Sequence, residues 1–232
     1  MTDASTRPAR TRDSLLLALS FAAGYVDALS YLGLSRVFTA NMTGNTVLLA
    51  IGLAQLDADA AVRSSVALAG FLGGAGAGAW IVERDGADGV WPRAVTLALG
   101  LELFILCSFA AGWQLVGDAP AEIPLAVLIW LSALAMGVQS AAIRRLEVSG
   151  IATTYITGTL THLAARFMRT TWQSRDSRFR HGILLGAVWI VYFGGALAAA
   201  IDLRLSSLLA QVIPIAVITC VVVIAAIVFG RR

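Results

Sequence analysis

Six stretches of the chain are apolar for long enough to cross a bilayer: residues 14–34, 62–82, 94–113, 124–143, 181–201 and 208–229. A helix needs about 20 residues to span the roughly 30 Å hydrocarbon core, and each stretch meets that length. Two shorter apolar stretches lie between them, one after the first span and one after the fourth. Each starts at a polar, glycine-containing break. The first break reads Phe38-Thr39-Ala40-Asn41-Met42-Thr43-Gly44-Asn45-Thr46 and the second Ala152-Thr153-Thr154-Tyr155-Ile156-Thr157-Gly158-Thr159. Aligned on Thr43-Gly44 and Thr157-Gly158, Thr39 also meets Thr153, and Leu49-Ala50 meets Leu163-Ala164. The helices expected at 43–56 and 157–168 would each be about 20 Å long, short of a full crossing. Such backbone is tolerated at membrane depth only when packed in protein or facing a wet cavity.

The pattern therefore predicts an all-α polytopic membrane protein. It has six transmembrane helices plus two short re-entrant or broken half-helices, arranged as two inverted repeats. The repeat extends beyond the breaks. Gly24 precedes the first Thr-Gly pair at nearly the distance at which Gly137 precedes the second, and Phe71-Leu72-Gly73-Gly74-Ala75 resembles Tyr192-Phe193-Gly194-Gly195-Ala196. Three full spans per half is an odd number, so the halves face opposite ways. The expected organisation is a tail over 1–13, a first membrane repeat over 14–114, an outside connecting loop over 115–123, a second repeat over 124–229 and a C-terminus over 230–232.

Composition agrees with the membrane reading. The chain of 232 residues is 58% hydrophobic and only 13% charged, with mean hydropathy +0.80; a soluble domain carries about 25% charged residues. The basic residues are all Arg. With six spans and the N-terminus inside, only Arg36, Arg63 and Arg204 fall outside, whereas eight full spans would spread the arginines more evenly. The positive-inside rule favours six, with both termini cytoplasmic. The basic balance does not point to nucleic acid, because the arginines sit between apolar runs and not on one soluble face. The N-terminal Arg-rich stretch followed by an apolar run imitates a signal peptide, but the internal Asp27 and the later spans favour an uncleaved first helix. Cys107 and Cys220 lie in apolar runs and are expected to be small buried hydrophobes.

The combination of Gly24-Tyr25-Val26-Asp27-Ala28 with Phe38-Thr39-Ala40-Asn41-Met42-Thr43-Gly44-Asn45 resembles the YoaK-like family of bacterial integral membrane proteins, the domain of unknown function 1275 family. Thr153-Thr154-Tyr155-Ile156-Thr157-Gly158 is similar to the family's second signature, and the resemblance covers nearly the whole chain. It implies a six-span integral membrane protein and supplies neither a substrate nor catalytic residues. The expected location is the bacterial cytoplasmic (inner) membrane.

Function must then be read from the residues themselves. Asp27 and Glu102 stand near the middle of spans, where a charge costs about 2.5–3.5 kcal/mol on insertion scales. They are the candidates for proton or ion coupling, against a bland role as hydrogen-bonded helix glue. Asp27's nearest counterparts in the second half are Gln139 and Ser140, so any ion site is asymmetric. Asn41, Thr43, Gly44 and Asn45, with Thr153, Thr157, Gly158 and Thr159, are the candidate substrate-binding residues. Ser, Thr and Asn are preferred helix caps, which is the bland reading. The sharper one adds that a helix N-terminus inside the membrane offers N–H groups and a positive dipole end to a small polar or anionic solute.

Gly70, Gly73, Gly74, Gly76 and Gly78 are expected to let helices approach closely, and the glycine-rich face could support a homodimer. His162 is more often a packed residue than a proton relay. The arginines from Arg166 to Arg180 read as an interfacial anchor for anionic lipid. No catalytic motif, cofactor site or metal spacing is visible. A small secondary transporter or permease is the leading expectation. A channel, or a structural or assembly protein without transport, is the alternative.

Overall fold

The computed structural model describes residues 7–84, 89–117, 121–146, 175–205 and 210–230. The second Thr-Gly break, with Thr153, Thr157, Gly158, Thr159 and His162, lies outside the described residues. Among those described, the chain forms seven helices: α1 Arg7–Gly33, α2 Met42–Ala54, α3 Ala58–Arg84, α4 Arg93–Val116, α5 Glu122–Arg144, α6 Arg175–Leu205 and α7 Val212–Phe229. Six of them are long and apolar enough to cross a membrane, and α2, with 13 residues, is not. The protein is thus an all-helical polytopic membrane protein in contact with lipid. α1 starts at Arg7 rather than at the expected 14, because the basic lead-in continues the helix and Arg12 pairs with Asp13 at 2.8 Å.

Helix boundaries follow local chemistry. Pro92 stands just before α4, where its missing N–H costs nothing. Gly117 ends α4 with φ of 79°, a left-handed conformation that glycine adopts without strain. Asp57 caps α3 by accepting from the Ala60 N–H at 3.0 Å.

Two buried clusters fix how the helices run. In one, Leu15, Leu16 and Leu19 of α1 join Val82 late in α3, Val95 early in α4, Ile143 late in α5, Leu185 early in α6 and Val221 late in α7. In the other, Leu29 of α1 and Leu34 just beyond it join Ala67 early in α3, Trp113 late in α4, Leu125 early in α5, Ala199 late in α6 and Ala210 just before α7. The six long helices therefore alternate in direction. α1 ends and α3 begins at the same end of the bundle, so α2 makes no net crossing. α5 ends and α6 begins at the opposite end.

Two helix crossings are built on glycine. Gly70, Gly74 and Gly78 of α3 lie against the carbonyl oxygens of Trp130, Leu134 and Val138 on α5, and Gly137 of α5 lies against that of Phe71. On the other side of the bundle Gly24 of α1 lies against the Tyr192 carbonyl, and Gly195 of α6 against that of Phe21. At each crossing a Cβ would run into backbone. The glycine spacing thus serves close packing, as expected, within one chain. Gly76 faces open space instead. Cys107 and Cys220 correct the sequence reading: both are exposed on outward faces of α4 and α7, because an apolar run in a membrane helix does not say which side meets lipid.

Adding a methyl group at these crossings is expected to cost about 1–3 kcal/mol by overpacking. Gly74→Ala and Gly137→Ala should lower the detergent melting temperature clearly, while Gly76→Ala should leave it unchanged or raise it slightly through helix propensity. Equal melting of all three variants would rule out the glycine crossings.

Candidate functional site

The site is built around Asp27, six residues before the end of α1. A helix of that length places it about 9 Å back from Gly33, and it is 3% exposed. Beyond α1 the chain reverses. Leu34 donates its N–H to Ser30 O at 2.7 Å and Arg36 to Tyr31 O at 3.0 Å. Ser35 and Arg36 take left-handed φ values of 60° and 64°. Neither is glycine, so the reversal carries roughly 1–2 kcal/mol of strain per residue, which later contacts offset. The returning strand of chain, 37–41, runs back beside α1 to the depth of Asp27.

There the backbone N–H groups of Thr39, Ala40 and Asn41 all donate to Asp27 Oδ1, at 3.1, 2.7 and 3.1 Å. Tyr192 of α6 donates its O–H to Oδ2 at 2.5 Å. Asp27 thus ties the start of the half-helix to both α1 and α6. A line of hydroxyls adds a link to α5: Ser132 donates to Thr39 Oγ1 at 2.9 Å, Thr39 to Ser30 Oγ at 3.1 Å, and Ser30 to the Val26 carbonyl at 2.8 Å.

The residues of the break hold it in shape. Asn41 caps α2 by accepting from Gly44 N–H at 3.2 Å. Asn45, fully buried, imitates a strand partner for Phe38: its Oδ1 accepts from Phe38 N–H at 3.0 Å and its Nδ2 donates to Phe38 O at 2.6 Å. The Phe38 ring stacks on Tyr31 with centroids 4.8 Å apart. Gly44 is needed because a Cβ there would stand 2.9 Å from that ring. Thr43 and Thr46 are exposed, and Thr46 donates to Met42 O at 3.0 Å.

Glu102 forms a second buried polar centre. Gln139 of α5 donates to its Oε1 at 2.9 Å, both residues are fully buried, and Oε2 has no hydrogen-bond partner. No hydrogen bond joins Asp27 to Glu102; among the described residues they are separate sites.

Residues 15–226 match a protein family described as "Protein of unknown function (DUF1275)". The chain belongs to that family. It is similar to the UPF0700 transmembrane protein YoaK of Bacillus subtilis (strain 168), 37% identical over 192 residues that cover 82% of this chain and 83% of the relative. No solved structure matches it.

In this chain the stretch around Asp27 and the Asn-Met-Thr-Gly-Asn stretch form one assembled unit. Sequence reasoning gave Asp27 a coupling role and the break a substrate-binding role, and missed what joins them. Tyr192 stood inside an apolar run, and its only signal was a hydroxyl where the first half has Phe71. Ser30 and Ser132 were lost among small helix residues. The pairs Tyr25–Asp202, at 2.6 Å, and Gln114–Gln211, at 2.8 Å, were missed as well. Asp202, Gln114 and Gln211 stand near span ends, where solvation is the ordinary expectation, and Tyr25 is a buried ring inside an apolar run.

Removing the Asp27 carboxylate would orphan three buried N–H groups, each worth about 1–3 kcal/mol. Asp27→Ala should abolish a cooperative melt or lower its midpoint severely, while Tyr192→Phe, which removes one donor, should cost about 1 kcal/mol. Wild-type melting of Asp27→Ala would show that the break is not anchored there.

Proposed function

We propose that the protein is a small secondary transporter or permease of the bacterial cytoplasmic membrane, carrying a small polar or anionic solute past the two Thr-Gly breaks. The observation that carries this reading is α2 itself. It is a half-helix that starts in the interior of the bundle and returns to the face it came from. α5 ends and α6 begins at the opposite face, as an inverted second half would require. Matching glycine crossings support the same repeat: the register that pairs Gly24 with Gly137 pairs Phe21 with Leu134, and the one that pairs Gly74 with Gly195 pairs Phe71 with Tyr192. Inverted repeats with broken helices near the midplane belong to transporter architecture. In this reading the first break, at Asn41, Thr43, Gly44 and Asn45, and the second, at Thr153, Thr157, Gly158 and Thr159, both serve the solute path, and a buried carboxyl couples its movement to a proton or ion.

The orientation that fits the positive-inside rule puts the α1 N-terminal end in the cytoplasm. Arg10, Arg12, Arg84, Arg93, Arg144 and Arg145 gather at that end, against Arg36, Arg63 and Arg204 at the other. Reporter fusions after Arg232 and near Pro120 should report opposite sides of the membrane, the first cytoplasmic; the same side for both would remove the inverted repeat.

A structural role is the second reading, and one observation favours it. The N–H groups of Thr39, Ala40 and Asn41 are already taken by Asp27, which leaves Thr43 and Thr46, on the exposed side of α2, as polar groups of the break open to a solute. Solvent access separates the readings. In a Cys107→Ala/Cys220→Ala background, Thr43→Cys should react with a membrane-impermeant maleimide in intact membranes, as a wet path requires, and Leu72→Cys on the lipid face of α3 should not. An unreactive Thr43→Cys would favour the structural reading.

A further inference from the structure

We propose that Glu102, held by Gln139, is the proton-carrying site of the bundle, and that Asp27 is not. The two buried carboxyls differ in how their oxygens are used. Asp27 receives three N–H groups on one oxygen and a phenol O–H on the other. Those donors are fixed by the reversal after α1 and by α6, so both oxygens of Asp27 are already partnered in the charged form. Glu102 receives a single donor, and its Oε2 is buried without a partner. Buried polar atoms are partnered in the great majority of cases, and an orphan calls for an occupant. A proton can join or leave Oε2 without breaking any protein contact.

The surroundings suit a group that changes state. An unpaired charge at mid-span is expensive, so Glu102 needs a compensating cation whenever it is ionised, and a proton is the smallest. Among the described residues no fixed cation supplies that charge. The charged residues of the elements packed on α4 stand toward their ends: Asp59, Arg63, Glu83 and Arg84 on α3, Glu122 and Arg144 on α5, while α7 carries none and its Cys220 faces outward. Arg93, the basic residue of α4, stands at its first turn.

Position adds an independent argument. In the register set by Gly24 and Gly137, Gln139 and Ser140 fall where Val26 and Asp27 stand in the first half. Glu102 therefore meets, from α4, the residue next to the position that Asp27 holds in the first half. The step is a plain protonation: Oε2 gains a proton from water on one side and returns it to water on the other, with no bond to carbon changed. Its coupling role rests on the transport reading above, but the proton site itself does not.

The test is infrared difference spectroscopy on the full chain in liposomes, with the pH stepped across the neutral range. The wild type should show a carbonyl stretch of a buried neutral carboxyl that grows as pH falls. Glu102→Gln should lose that band, and Gln139→Leu, which leaves Glu102 in place but removes its donor, should move the band's frequency. A wild type with no titrating band, a band that survives in Glu102→Gln, or one unmoved in Gln139→Leu would overturn the proposal, and the last holds even if Glu102→Gln fails to fold. Sodium chloride at fixed pH should leave the band unchanged; its loss would assign the site to a metal cation instead. A Glu102 band in a protein whose labelled Thr43→Cys stays unreactive would keep the proton site and discard the solute path. A reactive Thr43→Cys without the band would do the reverse.

Discussion

Beginning a helix inside a membrane protein leaves backbone N–H groups where no water can reach them, and the structure depends on how that problem is solved. In lipid an unsatisfied N–H costs several kcal/mol. The three N–H groups leading into α2 converge on one carboxylate oxygen of Asp27. An anion at a helix start is favoured by the dipole as well as by the hydrogen bonds. The charge of Asp27 and the exposed backbone of the break are each costly alone and compensate each other. The strained reversal at Ser35 and Arg36 is affordable because it delivers the backbone to that oxygen.

This pairing connects the break to the bundle. Tyr192 brings α6 to the same carboxylate, and Ser132 brings α5 to Thr39. α1 and α6 can lie close enough for the phenol to reach because Gly24 and Gly195 remove the side chains between them. A substitution at the glycine crossing would therefore be felt at Asp27, and loss of Asp27 would be felt as freedom of the half-helix. Packing and polar chemistry are one constraint here, and this explains why the Gly-Tyr-Val-Asp stretch and the Asn-Met-Thr-Gly-Asn stretch stand together in the sequence.

Much of the architecture could be read from the chain because membrane spans announce themselves by length. The six spans, the short α2 and the role of Gly70, Gly74 and Gly78 in packing all follow from apolar runs and glycine spacing. What could not be read was sidedness. Cys107 and Cys220 sit in runs that are apolar all round, so nothing in the pattern distinguishes a lipid face from a core face. The same blindness hid Tyr192, Ser30 and Ser132, whose hydroxyls matter only through what a neighbouring helix presents. At the break, the described residues do work that their types did not announce. Asn45 reads as a helix-start residue, yet it clamps Phe38, a pairing seven residues away that no capping rule anticipates.

The two halves, if they descend from one repeat, have not kept the same chemistry. Where the first half has Asp27, the second has Ser140 beside Gln139; where the second has Tyr192, the first has Phe71. Each difference is polar against nonpolar or charged against neutral at a matching place in the bundle. One buried carboxylate is enclosed by donors and one, Glu102, is left with an open oxygen. A symmetric pair of carboxyls would either both be locked, giving a rigid protein with nothing to titrate, or both be open, leaving the N–H groups of the first break without an acceptor. Dividing the roles lets one carboxylate hold the backbone together while the other remains free to change its charge.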